Sequence, residues 1–162
     1  IKHNKLIQKK EHKTMDLNAI LAISGKPGLF KLITQTKTGA LVESLIDKRR
    51  MPAFSNEKIS SLKDITIFTT TEDVPLIKVF QAIYKKENGG ECVDAKSNER
   101  DLREYMAEVL PEYDKDKVHI SDMKKLFSWY KILNDNKMID LKEETENKEE
   151  VKEEENQDNK NE

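Results

Sequence analysis

Cys92 is the only cysteine of the 162 residues, and His3, His12 and His119 are the only histidines, so nucleophilic or thiolate chemistry would have to start from these four side chains. A nucleophile needs a base within hydrogen-bond reach and a third group that orients the base. No matched partners stand near Cys92 or His119 in sequence, and Cys92 reads as a half-buried inert thiol. One cysteine makes no internal disulfide and no cysteine-based zinc site. The stretch "YDKDKVHISDMK" opens like a calcium loop, with Asp114 and Asp116 at the spacing of the first two ligands. Val118 then stands at the third ligand position, His119 replaces the required glycine and Lys125 replaces the bidentate glutamate, so an EF-hand is rejected. "SGKPG" holds the Gly-Lys pair of a phosphate loop, but no glycine lies five residues before Gly25, and Pro27 stands where Ser or Thr would meet magnesium. The expectation is therefore a protein that is not an enzyme, with no catalytic residue, no cofactor and no metal.

Binding chemistry remains. The turn "DKRR" places Lys48, Arg49 and Arg50 together, and Lys37 lies on a neighbouring turn. Residues 15–71 carry net +3 and residues 72–140 net −3. A small basic sheet domain binds single strands by charge and base stacking, so Lys37, Lys48, Arg49 and Arg50 are candidate nucleic-acid contacts. Against this, net +3 is a weak field, a soluble hairpin turn explains "DKRR" equally, and Phe30, Phe54 and Phe68 sit among aliphatic residues and are expected in the core. The second concentration of large side chains is Phe127, Trp129 and Tyr130. Core packing is the ordinary use of such a cluster; where it stays exposed it marks a protein-binding patch, with Trp129 and Tyr130 as candidate contacts.

Two kinds of element must position these residues. "DLNAILAISG" predicts a short helix, capped by Asp16 and closed by Gly25. From Leu29 the pattern turns to strands: "LFKLITQT", "ALVESLI", "MPAF" and "ITIFTT", separated by "KTG", "DKRR" and a loop that packs Ile59 and Leu62. Pro52 removes a donor and argues for an edge or a bulge. Such short strands with tight turns predict a strongly bent sheet, closed most simply as an SH3-like or Sm-like barrel. After Val74 the recurrence becomes helical. One stripe holds Leu76, Val79, Phe80 and Ile83, a second Leu102, Tyr105, Met106, Val109 and Leu110, and a third Met123, Leu126, Phe127, Tyr130 and Leu133. Ser97 or Asn98 is the expected cap of the second helix, and Ser121 of the third, with Asn136 as its end.

Charge sets the limits of the folded part. Charged residues make up 37% and apolar residues 36%, a polar balance that predicts unpacked segments. Residues 1–14 carry net +4 and read as a disordered basic arm upstream of a natural start at Met15. Residues 141–162 carry net −6 and read as a disordered acidic tail, with Val151 the only apolar residue after Leu141. No apolar run approaches the ~20 residues needed to span a bilayer, and a cytoplasmic address is expected.

Residues 15–140 resemble an uncharacterised bacterial family, of a domain-of-unknown-function class common in Bacteroidota. The resemblance rests on "ISGKPGLFKLITQTKTGALVESL", "KISSLKDITIFT", "VPLIKVFQAIYKKENGG" and "LPEYDKDKVHISDMKKLFSWYKIL". It implies a small β-rich domain followed by a helical one and carries no catalytic or binding residue. The sequence thus predicts an α+β chain: a small barrel-like domain over 15–71 preceded by a short helix, a three-helix domain over 72–140, and the two charged termini. The expected function is that of a non-enzymatic adaptor that binds a protein partner through a sheet edge or the Trp129 helix. The second expectation is weak RNA binding through the basic hairpin tips.

Overall fold

The computed structural model describes residues 19–139 and residue 141. The expectations for the basic arm, for Met15 and for the acidic tail concern residues outside that range, apart from Leu141. The chain is α+β. The strands β1 (Ile20–Ile23), β2 (Phe30–Thr36), β3 (Gly39–Ser44), β4 (Arg50–Phe54) and β5 (Ile59–Ser61) form an antiparallel sheet in the order β4-β3-β2-β1-β5. A two-residue ribbon, β6 (Thr66–Ile67) with β7 (Val74–Pro75), leads into the helices α1 (Leu76–Lys86), α2 (Glu99–Val109) and α3 (Ile120–Asp135). Among the described residues no helix is long and apolar enough to cross a membrane.

The predicted first helix is instead strand β1, which pairs with both β2 and β5. The reason lies in its two buried faces. Ile20 and Ala22 face the helices, while Leu21 and Ile23 face a second core inside the sheet. A strand buried on both sides reads as a continuous apolar run, which periodicity cannot tell from a buried helix.

The predicted barrel is also corrected: the sheet is bent but open. Leu21, Ile23, Phe30, Val42 and Ala53 gather in one small core, so the strands curl around shared contents. The edges β4 and β5 nevertheless do not pair with each other. Pro52 in β4 lacks a ladder donor and β5 is only three residues long, so neither edge offers a full row of hydrogen-bonding groups. At the β2–β3 turn Gly39 is obligatory, because a Cβ there would lie 2.0 Å from the Ala53 carbonyl oxygen at a φ of +153°.

The larger core joins both halves of the chain. Ile20, Leu29, Leu45 and Leu62 from the strand region pack with Leu76, Phe80, Leu102, Met106, Phe127 and Tyr130 from the helices. The stripes of α1 and α3 behave as their spacing requires, whereas in α2 only Leu102 and Met106 of the predicted five are buried and Leu110 lies past the helix end. Leu76, Val79, Phe80 and Ile83 of α1, and Met123, Leu126, Phe127, Tyr130 and Leu133 of α3, are all buried. In α2 Asn98 is the cap: its Oδ1 accepts the Asp101 N–H at 2.9 Å. The third helix starts earlier than predicted. His119, not Ser121, is its cap, and the Asp122 carboxylate accepts the His119 N–H at 3.0 Å. Two of the three phenylalanines expected in the core are not there. Phe30 is buried, but Phe54 is 50% and Phe68 46% exposed.

Candidate functional site

The four candidate nucleic-acid contacts do not meet. Lys37 sits on the β2–β3 turn, and Lys48, Arg49 and Arg50 sit at the β3–β4 turn, at the opposite end of β3. The six residues of β3, at ~3.4 Å each, hold the two tips about 20 Å apart. The turn residues are also engaged within the fold. Lys48, at a φ of 62°, donates from Nζ to the Leu45 carbonyl at 3.2 Å and to Asn136 Oδ1 at the end of α3. Asn136 Nδ2 in turn donates to the Ile132 carbonyl at 2.7 Å and the Leu45 carbonyl at 3.3 Å. A lysine ammonium beside a helix C-terminus also meets the negative end of the helix dipole. Arg49 Nε lies 3.8 Å from Asp47, and Arg50 Nε donates to Glu43 at 3.1 Å. Within "DKRR", Lys48 thus clasps the sheet to the end of α3, while the two arginines pair with carboxylates of the turn and of β3.

The pair expected to contact a protein partner also divides. Tyr130 is 0% exposed, and its hydroxyl donates to the Gly90 carbonyl at 2.9 Å, so it is a core residue and not a surface contact. Burial pushes its phenol up to about 12. Trp129, one position earlier on the helix, is half-buried and reaches the surface.

Trp129 forms part of the wall of an open cleft of about 750 Å³ between α3, the loop 24–28 and the start of β5. Four lysines line it: Lys26 and Lys58 from the strand region, and Lys124 and Lys125 from α3. Helical spacing explains half of this set, because Lys124 with Ser128, and Lys125 with Trp129, are i, i+4 pairs on adjoining strips of α3. The opposite wall depends on the loop shape. Gly28, at a φ of +87°, lets that loop approach the β3–β4 turn, where a Cβ would lie 2.6 Å from Ile46 Cδ1.

The charge of the cleft is one-sided. Lys26 pairs with Glu57 at 3.0 Å, and the Phe54 backbone N–H together with Lys26 holds the Glu57 carboxyl below its usual range. Lys58, Lys124 and Lys125 have no ion-pair partner among the described residues. The described side chains that line the cleft include no carboxylate, imidazole or thiol; they are lysines, serines, the indole and small or aliphatic groups. A smaller hollow of about 230 Å³ continues the groove, sharing Ile65, Lys125 and Trp129, and its lining adds both Lys117 and the Asp122 carboxylate, so the one-sided charge is confined to the larger cleft. There the Lys117 ammonium lies 5.4 Å from the centre of the exposed Phe68 ring. Such a surface holds an anionic, partly apolar segment through charge-assisted hydrogen bonds and contact with an aromatic face.

Cys92 stands apart from the cleft lining. It is half-buried, with Sγ 3.3 Å from the Val93 carbonyl and 3.6 Å from that of Phe127, and burial pushes the thiol up to about 12.

Of the cleft residues, sequence reasoning kept only Trp129 as a candidate; "SGKPG", which forms the loop 24–28, is rejected there as a phosphate loop. The adjacent signal was "MKKLFSW", which places two lysines one turn before the indole. Nothing in the sequence joined Lys26 to Lys58, since it is the pairing of β1 with β5 that brings the residues after β1 beside those before β5.

Comparison with known proteins agrees with this architecture. Residues 17–62 match the family model Domain of unknown function (DUF5606), and residues 65–133 match Domain of unknown function (DUF6852). No curated protein matches the chain. A solution NMR structure of a Bacteroides vulgatus protein, determined as a structural genomics target, is 47% identical, with a TM-score of 0.65 over 77% of this chain and 90% of that one. The chain belongs to the uncharacterised Bacteroidota-type family built from these two domains of unknown function.

Proposed function

We propose that this protein is a non-enzymatic binding module, an adaptor whose Trp129 cleft receives an acidic peptide segment of a partner protein. One observation carries the reading: Lys58, Lys124 and Lys125, three lysines without an ion-pair partner among the described residues, share a cleft with a half-buried tryptophan, and no described carboxylate lines that cleft. Carboxylates of an extended peptide meet the ammonium groups and serine hydroxyls, while its aliphatic carbons lie on Ile65 and the indole. Nucleic acid is the less favoured occupant. The whole chain has a pI near 6.0, where nucleic-acid domains tend above 9, the two hairpin tips that suggested RNA lie apart, and Lys48, Arg49 and Arg50 of one tip are internally paired. A cytoplasmic setting belongs to the same reading, because a lone thiol suits a reducing compartment.

Trp129 is the only tryptophan, so its emission reports on the cleft directly. Titration of the full chain with a glutamate-rich peptide changes that emission saturably, and affinity falls as salt rises from about 50 mM to about 300 mM, because exposed charges are screened. A short oligothymidylate leaves it unchanged. Saturable binding of the oligonucleotide but not of the peptide would refute the acidic-peptide reading.

A further inference from the structure

Resting on that reading of the cleft, we infer that the chain's own C-terminal segment, residues 142–162, is a resident occupant of the cleft and competes with acidic ligands from outside. The segment holds ten acidic residues and four lysines, a net of −6, with acidic runs at Glu143–Glu144, Glu149–Glu150 and Glu153–Glu155, of which the last two place five carboxylates within seven residues. Residues 19–139, with twenty basic and eighteen acidic groups, are nearly neutral overall. The cationic side chains of the cleft are therefore a local target rather than part of a general positive field.

The point of exit favours this pairing. Trp129 lies six residues before the end of α3, about 9 Å along the axis at 1.5 Å per residue. Met138 and Ile139 pack against the larger core, which holds the departing chain close to α3, and Leu141 is the last described residue. From Leu141 to Glu149 is eight residues, a contour of up to ~28 Å, longer than the ~17 Å of α3 between Lys124 and Asp135. Tethering matters more than any single ion pair. Exposed pairs are each weak, but a short tether presents the segment at an effective concentration of about a millimolar. A free acidic peptide must therefore displace a competitor that is always present, and only a ligand of higher charge density or better apolar fit enters the cleft.

The test keeps the full chain. A variant with Glu149, Glu150, Glu153, Glu154 and Glu155 each changed to Gln is compared with the parent by Trp129 emission and by binding of the free peptide EETENKEEVKEEENQD. At low salt the parent and the variant differ in Trp129 emission, and added salt moves the parent to the variant's position. The variant binds the free peptide about tenfold more tightly, the ratio expected when a millimolar competitor of roughly 100 µM affinity is removed. Changing Lys58, Lys124 and Lys125 to Ser abolishes the difference between parent and variant. Equal peptide affinity with equal emission overturns the resident segment while leaving the cleft as a peptide site. If neither protein binds the peptide and their emission matches, both readings fall. If the difference survives the three lysine substitutions, the segment acts elsewhere, for instance on the basic residues 1–14, and the inference fails.

Discussion

At the β3–β4 turn, three consecutive basic side chains each meet an acceptor of the same fold: Lys48 meets Leu45 and Asn136, Arg49 meets Asp47, and Arg50 meets Glu43. Across the molecule, Lys58, Lys124 and Lys125 gather around a cleft with no ion-pair partner among the described residues. The two sets carry equal formal charge, one from a lysine and two arginines and the other from three lysines. Adjacency in sequence put the first set on a tight turn, where Asp47 and the cross-strand Glu43 lie within reach. The second set comes from elements far apart in sequence, and the walls between its lysines are uncharged. Local charge density therefore does not measure the charge available to a ligand; the distribution of acceptors does.

The largest test of this contrast is charge reversal. Changing Lys58, Lys124 and Lys125 to Glu lowers affinity for a glutamate-rich peptide by a hundredfold or more, about 2.7 kcal/mol across the three sites. The same reversal at Arg49 and Arg50 leaves that affinity within about twofold. Equal losses in the two regions, measured by Trp129 titration, would erase the distinction. Stability gives the reverse pattern at smaller scale. Asn136→Ala removes the bonds from Nδ2 to Leu45 and Ile132 and leaves Lys48 with the Leu45 carbonyl as its remaining acceptor, at a cost of about 1–2 kcal/mol in denaturant unfolding. Lys124→Ala, on the exposed face of α3, stays within about 0.5 kcal/mol.

A third, smaller effect is alkaline. The Cys92 thiol is pushed up to about 12 by burial, so the folded state keeps its proton where the unfolded chain loses it near 9. A raised pKa contributes stability that is present below the unfolded value and is lost as pH climbs from about 9 towards about 12. The Tyr130 phenol, raised to about 12 by the same cause, adds to the decline from about 10 upward. Thermal unfolding from pH 8 to pH 11 therefore shows falling stability, with a shallower slope in Cys92→Ala. An unchanged slope in that variant would mean the buried thiol does not contribute. At neutral pH the same protonation makes Cys92 slow to alkylate until the chain unfolds.

How much was legible varies with the kind of element. The stripes of α1 and α3 named their buried residues in advance, because a helix with one apolar face repeats that face in sequence. The hairpins around Gly39 and before Arg50 were legible from turn residues. β1 was misread because both its faces are buried, and Ser121 was preferred as a cap over His119 because helix ends are weakly marked. At the site, Trp129 was visible as a large side chain. Tyr130, its neighbour, was grouped with it and proved to point into the core.

By itself the sequence determined the α+β composition, the helical faces, the edge character of the Pro52 strand and the polarity of charge between body and C-terminal segment. These follow from local pattern, which each segment carries wherever it is placed. Tertiary structure alone decided that the sheet stays open, that Lys48 turns to the end of α3 and that Lys26 and Lys58 stand opposite Lys124 and Lys125. Those outcomes depend on which strands pair and which helix covers them, contacts between residues up to about a hundred positions apart. No local period encodes such contacts.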